Sequence, residues 1–318
     1  MAHGKRYMVP RRVALERIGG FMLGACAALS GVASVFAETE TILEVAYAGS
    51  MGSLMEGPIR DAVAKKFTIE LRGRAQGSSA LARLIEGGNI QPDVFISVTP
   101  SPMQLVLKAG KAQIAAPIAR TEMVIAYSPD SQFASRFAET ERPGSIPWWQ
   151  IFEQPGMRFG RTDPITDPQG RNIIFSLELA AQYYRQPNLV ERILGDVINP
   201  SQIFSEPTVL ARLQAGELDA SSAYKTQPPP LGLPYIRLPQ AINLGSDRLE
   251  GDYSRVSVTL AGKVYHPEPL VYYAAVLKDA HSPHAAQDFV NWLGGDEAQA
   301  ILRQYSYDPP GDAKPLRP

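Results

Sequence analysis

The sequence predicts an α/β protein built as two lobes or as one large α/β unit, and three observations predict it. The 318-residue chain is 45% apolar and 20% charged, which is an ordinary globular composition, too apolar for disorder and too mixed for a fibre. Its length exceeds a single domain of roughly 150 residues. Short β-rich runs alternate with helix-patterned segments through loops of small residues, the rhythm of an α/β fold. Charge and cysteine usage narrow the function classes. Thirty-one Lys and Arg against 32 Asp and Glu give a net charge of -1, so no broad basic face exists to neutralise nucleic-acid phosphates. A single cysteine, Cys26, excludes disulfide frameworks and Cys-based zinc sites.

The first 37 residues read as a secretory signal. Lys5, Arg6, Arg11, Arg12 and Arg17 stand against one acid, Glu16, and an apolar small-residue run from 18 to 36 follows them. Val35-Phe36-Ala37 suits a signal peptidase, which places the mature start near Glu38. Leu23-Gly24-Ala25-Cys26 resembles a lipoprotein box, but the apolar run continues past the cysteine. Arg11-Arg12 leaves a twin-arginine export route open. Removal of residues 1–37 leaves 26 basic and 31 acidic side chains, a net charge of -5. No other long apolar segment follows, so the exported protein is expected to be soluble and acidic.

The elements then come in order. A β-rich run at 42–47 ends in Ala48-Gly49-Ser50-Met51-Gly52-Ser53, which leads to a helix over 58–67 with Pro58 in its first turn, where no N–H is needed. A strand at 68–72 leads to Gly77-Ser78-Ser79-Ala80 and a helix carrying Leu81, Leu84 and Ile85, stopped by Gly87-Gly88. Strands follow at 93–98 and 122–127. Residues 148–152 form an amphipathic turn, and 161–170 a Pro/Asp-rich loop that opens a helix from about 171 to 184. Glu206-Pro207 opens another, with Val209, Leu210 and Leu213 on one face and Gly216 as its stop. Strands are expected at 219–224, 256–260 and 270–277, then two helices at 283–293 and 296–305, the second capped by Asp296.

Four of these loops lead into helices: those at Ser50, at Ser78, at Asp167 to Gly170, and at Glu206. Helix N-termini present unsatisfied N–H groups and a partial positive charge, so several aimed at one cleft hold an anion without net positive protein charge. Each serine alone reads equally as a plain helix cap, Glu206 before Pro207 as a cap neighbourhood, and Asp163 and Asp167 before proline as turn openers. Tyr224 is either a ligand contact or an aromatic strand residue. His266, His281 and His284 lack partners at metal-ligand spacing and read as surface; Trp148 and Trp149 read as packing.

The ordered set Ala48-Gly49-Ser50, Gly77-Ser78-Ser79-Ala80-Leu81-Ala82-Arg83, Pro92-Asp93-Val94-Phe95-Ile96-Ser97, Glu122-Met123-Val124-Ile125-Ala126-Tyr127, Asp163-Pro164-Ile165-Thr166-Asp167-Pro168-Gln169-Gly170, Ala223-Tyr224-Lys225 and Ile242-Asn243-Leu244-Gly245 closely resembles the molybdate/tungstate-binding proteins of ABC transporters. It does so over about residues 41–305, nearest to the tungstate-type branch. The resemblance implies a two-lobed periplasmic-binding-protein fold (type II). Each lobe is a mixed sheet flanked by helices, with the ligand in the interlobe cleft: 41–121 with 255–313 as one lobe, 122–254 as the other. It implies that Ser50, Ser78, Gln169 and Tyr224 hold the oxyanion and that Asp167 and Glu206 coordinate its Mo or W centre. It further implies a periplasmic monomer that delivers molybdate or tungstate to an ABC permease, without a cofactor and without nucleic acid. The chain departs from the branch at Gln169, where Cys is common, at Arg171-Asn172 in place of Tyr-Arg, and at Ala241.

Two carboxylates beside a dianion repel by several kcal/mol at an effective dielectric near 20. Three arrangements remove the conflict: coordination to the metal centre, protonation of one carboxyl, or carboxyls that cap helices and face elsewhere. Two other readings of the chain remain: a binding protein for sulfate, phosphate or a small carboxylate, and a secreted Ser hydrolase. Against the hydrolase, no G-x-S-x-G elbow is present and no histidine lies in the motif regions.

Overall fold

The computed structural model describes residues 41–140, 142, 144–246 and 253–318; the expected signal segment, with its cleavage site and Cys26, lies outside them. Strand β1 (Thr41–Ala48) pairs in parallel with β2 (Ile69–Gln76) on one side and β3 (Val94–Ser97) on the other. Its Leu43, Val45 and Tyr47 are buried on one face and Ala46 on the other, as expected of a strand covered by helices on both sides. Strand β12 (Val271–Val276) runs antiparallel between β3 and β4 (Ala116–Arg120), which gives the order β2-β1-β3-β12-β4.

A second five-stranded sheet contains β7 (Ile203–Phe204), β6 (Phe159–Thr162), β8 (Ala220–Tyr224), β5 (Met123–Tyr127) and β9 (Tyr235–Arg237) in that order. The two sheets have the same topology: the antiparallel strand, β12 in one and β5 in the other, is the one that arrives from the opposite sheet. This is the type II arrangement. Only Thr121 and Glu122 separate β4 from β5, and the Thr121 N–H donates to the Leu270 carbonyl at 3.0 Å, so the outgoing and returning chains are tied where they cross. The Ile242-Asn243-Leu244-Gly245 segment sits at the same place. The Asn243 carbonyl accepts from the Met123 N–H at 2.7 Å, and its amide donates to Glu122 Oε2 at 2.9 Å.

The helices follow the expected punctuation with some corrections. Helix α1 (Arg60–Phe67) is preceded by helical turns over 49–59 that break at Gly57, whose φ of -120° and ψ of -105° are not helical, so Pro58 stands in the first turn of the segment that runs into α1, where its missing N–H costs nothing. Helix α2 (Ser78–Glu86) buries Leu81, Ala82 and Ile85 and is followed by Gly88 at φ 69°, the left-handed residue that ends many helices. Helix α3 (Pro100–Lys108), strand β4, helix α4 (Ala134–Glu139) and helix α7 (Leu189–Leu194) were not expected from the sequence. Helix α5 is Trp148–Phe152. Arg161 and Thr162, expected in a loop, belong to β6. Helix α6 (Pro168–Tyr183) begins three residues earlier than expected, and α8 is Glu206–Gln214. Helices α9 (Pro283–Leu293) and α10 (Asp296–Gln304) close the chain, but Gly295, not Asp296, is the N-cap of α10, and no side chain caps it.

Strands β10 (Val258–Leu260) and β11 (Lys263–Tyr265) form a separate antiparallel hairpin. Trp148 and Trp149 are buried in the main core, Trp148 edge-on to Phe152, so they are packing residues. His266, His281 and His284 are exposed. The described residues cluster as one compact unit. Among the described residues no helix is long and apolar enough to cross a membrane.

Candidate functional site

The first sheet contributes two loops of backbone donors and hydroxyls. After β1 the chain coils at once, and the N–H groups of Gly49 and Ser50 donate to the Glu206 carboxylate from the other sheet. A Cβ on Gly49 would lie 2.2 Å from Glu206 Oε2, so the approach requires glycine. Ser50 Oγ shares a 3.0 Å hydrogen bond with the Tyr272 hydroxyl, and the Tyr307 hydroxyl donates to the Ser50 carbonyl at 3.2 Å. Ser78 is not a cap: Gly77 takes that position, and Ser78 Oγ accepts from the Val98 N–H at 3.3 Å. A hydroxyl that accepts still has its own hydrogen to donate. A Cβ on Gly77 would lie 2.9 Å from the Thr166 carbonyl oxygen and 3.1 Å from Asp167 Cβ, which shows how closely the second loop approaches the third.

The second sheet contributes carboxylates. Asp163 is structural: Oδ1 accepts from the Ile165 N–H at 2.8 Å and Oδ2 from the Thr166 hydroxyl at 3.1 Å. Asp167 caps α6, with Oδ1 accepting from the Gln169 N–H at 2.9 Å. Gln169 therefore commits its N–H to that cap, and its side-chain Nε2 donates to Gln227 Oε1 at 2.6 Å. Gln227 Oε1 also accepts from the Tyr224 N–H at 2.7 Å, while Gln227 Nε2 donates to Glu206 Oε1 at 3.2 Å. With its carbonyl holding two donors, the Gln227 amide has only its NH2 to offer Glu206. Glu206 occupies the first helical position of α8 and is not a cap; Ser205 precedes it without a side-chain cap bond. Tyr224, at the end of β8, accepts from Asn172 Nδ2 at 3.0 Å, so its phenolic hydrogen remains to be donated.

Burial dominates the electrostatics. Asp167 and Glu206 are 5% and 6% exposed, Ser78 is 1% and Tyr224 is 0%. Desolvation pushes the Asp167 carboxyl up to about 6, against the Gln169 N–H and the Arg171 charge, which lower it. The Glu206 carboxyl is raised well above its ordinary value, first by desolvation and then by the Asp167 charge. Burial raises both carboxyls, and the Asp167 charge further favours the protonated form of Glu206. Desolvation, then the Asp167 charge, also raises the Tyr224 phenol, which keeps it a neutral donor.

Asp167, Glu206 and Gly77 line one cavity of about 490 Å³. Ser50, Ser78, Gln169 and Tyr224 do not line that cavity; the Ser50 N–H meets Glu206, and Gln169 and the Tyr224 N–H meet Gln227, which donates to Glu206. Ser78 lies beside Gly77 at the same junction, with its hydroxyl turned to Val98. Sequence reasoning missed Gln227, Tyr272 and Tyr307. The adjacent tyrosines at 272 and 273 read only as strand formers, and no spacing signal marks Gln227 or Tyr307.

Two like-ordered sheets, tied at paired crossing strands, with anion-loop donors and buried carboxyls converging between them, define a solute-binding protein of the periplasmic, type II class. The chain belongs to the family of bacterial extracellular solute-binding proteins, whose sequence profile matches residues 43–308. It is 28% identical over 287 residues to a putative ABC transporter molybdenum-binding protein of Haloferax volcanii, covering 90% of this chain and 88% of that one. It is 27% identical over 298 residues to the molybdate/tungstate-binding protein WtpA of Thermococcus kodakarensis, covering 85% and 83%. Its fold is similar to that of the periplasmic molybdate-binding protein of Azotobacter vinelandii, with a TM-score of 0.57 at 17% identity, over 83% of this chain and 98% of that one.

Proposed function

We propose that this protein is exported to the periplasm, captures molybdate or tungstate as a monomer, and delivers the oxyanion to an ABC permease. Residues 41–121 with 255–313 would form one lobe and 122–254 the other, the ion being held where they meet. The observation that carries the reading is the placement of two buried carboxyls, Asp167 and Glu206, opposite a loop of backbone donors at Gly49 and Ser50. Donors suit the oxygens of a tetrahedral oxyanion. Carboxylates suit only a centre that expands its coordination, which Mo(VI) and W(VI) do and sulfur does not. Ser50, Ser78, Gln169 and Tyr224 would hold oxygens, with Asp167 and Glu206 on the metal. The relatives named for molybdenum, molybdate and tungstate support the same ligand class.

A thermal-shift panel of molybdate, tungstate, sulfate, phosphate and chromate on protein purified without its leader tests this. A ligand that binds only the native state raises the melting temperature by mass action. Large shifts with molybdate and tungstate and none with sulfate are expected; a sulfate or phosphate shift that exceeds both would overturn the reading.

A further inference from the structure

Arg171 stands on α6 where the resembled branch carries a tyrosine, and the oxyanion reading gives it no role. Its side chain is buried, and its two terminal nitrogens go to different halves of the molecule. Nη1 donates to the Pro164 carbonyl at 2.8 Å, in the loop that leads to Asp167. Nη2 donates to Ser79 Oγ at 3.0 Å, beside Ser78 in the second anion loop. The guanidinium lies 4.8 Å above the Tyr265 ring of the β10–β11 hairpin. Two weaker ties run parallel: Arg83 Nη2 to the Ile165 carbonyl at 3.0 Å, and the Ala80 N–H to the Thr166 carbonyl at 3.2 Å.

We infer that Arg171 is a positioning residue that clasps the second anion loop to the Asp167 loop and so sets how long the closed site retains its ion. The planar fork satisfies two acceptors while its face stacks on an aromatic ring, a combination that lysine cannot reproduce. Both arms are filled only when Ser79 and Pro164 are close, so the contact favours the closed arrangement alone. An interaction made in one state shifts the population towards it and slows escape from it. The hydrogen bonds of Arg171 go to Pro164 and Ser79 and not to the carboxyl pair, but its charge lowers the Asp167 pKa, so the clasp is separated from that charge by Arg171→Lys and Ser79→Ala, which keep a cation at this position.

Only the kinetic arm of the test rests on the oxyanion reading. First, amide exchange is followed without added oxyanion in the wild type, Arg171→Ala, Arg171→Lys and Ser79→Ala. The amides of Gly49 and Ser50, whose partner Glu206 lies on the opposite half, should exchange on the order of tenfold faster in Arg171→Ala, and that of Ala80, shared between Gly77 on its own loop and Thr166 opposite, should change less, with β1 amides still protected. Ser79→Ala should change them in the same direction, and the double variant should add little. Arg171→Lys, with one donor and no fork, should fall between. Second, stopped-flow tungstate displacement should show dissociation faster by roughly 10–100-fold in Arg171→Ala with the association rate within about threefold, and Ser79→Ala, which keeps the Arg171 charge, should leave the preference for tungstate over sulfate unchanged. Unchanged exchange at Gly49 and Ser50, or a loss that falls on association, overturns the clasp. If the wild type binds no oxyanion in the panel, the proposed function fails, and the exchange result still decides the clasp. If Arg171→Ala does not fold, Ser79→Ala carries the same two readouts.

Discussion

The two halves that meet at the site are chemically opposite. The first sheet offers donors: the Gly49 and Ser50 N–H groups, the Ser50 and Ser78 hydroxyls, and behind them Tyr272 and Tyr307. The second offers acceptors, Asp167 and Glu206, both buried and both raised in pKa. A donor wall by itself would bind any small oxyanion. On the proposed function the acceptor wall would make the site selective, repelling an anion whose central atom cannot take a carboxylate oxygen and attracting one whose centre can.

Breaking the acceptor wall should have the largest effect. Glu206→Gln is expected to weaken tungstate binding at least about 100-fold and to collapse its preference over sulfate, since an amide is a poorer, uncharged ligand. Calorimetry with both ions reads this, and an unchanged tungstate affinity would remove coordination from consideration.

Next comes the protonation of the wall. A carboxyl whose folded-state pKa is raised contributes stability below its unfolded pKa and loses it as pH rises through the folded value. For Asp167 that window runs from about 4 to about 6. The stability of the protein without added oxyanion should therefore fall across it, by on the order of 3 kcal/mol for this group. Asp167→Asn should flatten the slope while its side-chain oxygen continues to cap α6. Tungstate affinity should move the opposite way, rising with pH, if the carboxylates coordinate the metal. Affinity that falls as pH rises would mean that a protonated carboxyl donates to the ion instead.

The donor wall should yield smaller effects. Ser78→Ala is expected to weaken oxyanion binding by about 1–2 kcal/mol through loss of a hydroxyl donor to a charged ligand. It should also lower stability by about 1 kcal/mol, because the Val98 N–H loses its acceptor. A stability loss with an unchanged dissociation constant would return Ser78 to a structural role. Tyr272→Phe should have the smallest effect, under about 1 kcal/mol in affinity, since Tyr272 touches the site only through Ser50 Oγ. A larger loss, measured by the same titration, would place the phenol itself on the ion.

How much of this was legible in the sequence differs from residue to residue. Asp163 before proline was readable as a turn opener and is one, because an Asx turn is a local event. Asp167 shows the limit: the sequence allowed cap or ligand, and one oxygen caps α6 while the residue also lines the cavity. Ser78 and Glu206 both sat at helix starts and looked like caps, yet neither caps. Gly77 and Ser205 take those positions, and the two side chains turn to partners elsewhere. The unexpected α3 and β4 lie in a stretch read as loop, where flanking prolines and a short apolar run gave a weak periodic signal.

By itself the sequence determined the alternation of strands and helices, the four small or acidic loops that open helices, and the motif order that marks the family. These rest on periodicity and helix punctuation, which act over a few residues. The tertiary structure alone decided that the Glu206 carboxylate faces Gly49 and Ser50 and that Gln227 fixes its other oxygen. It also decided that Tyr307, near the end of the chain, braces the first loop, and that Arg171 reaches Ser79. Those pairings join segments far apart in the chain. They exist because two sheets exchange one strand each and bring distant loops to the same buried place, where desolvation favours polar groups that find partners across the chain.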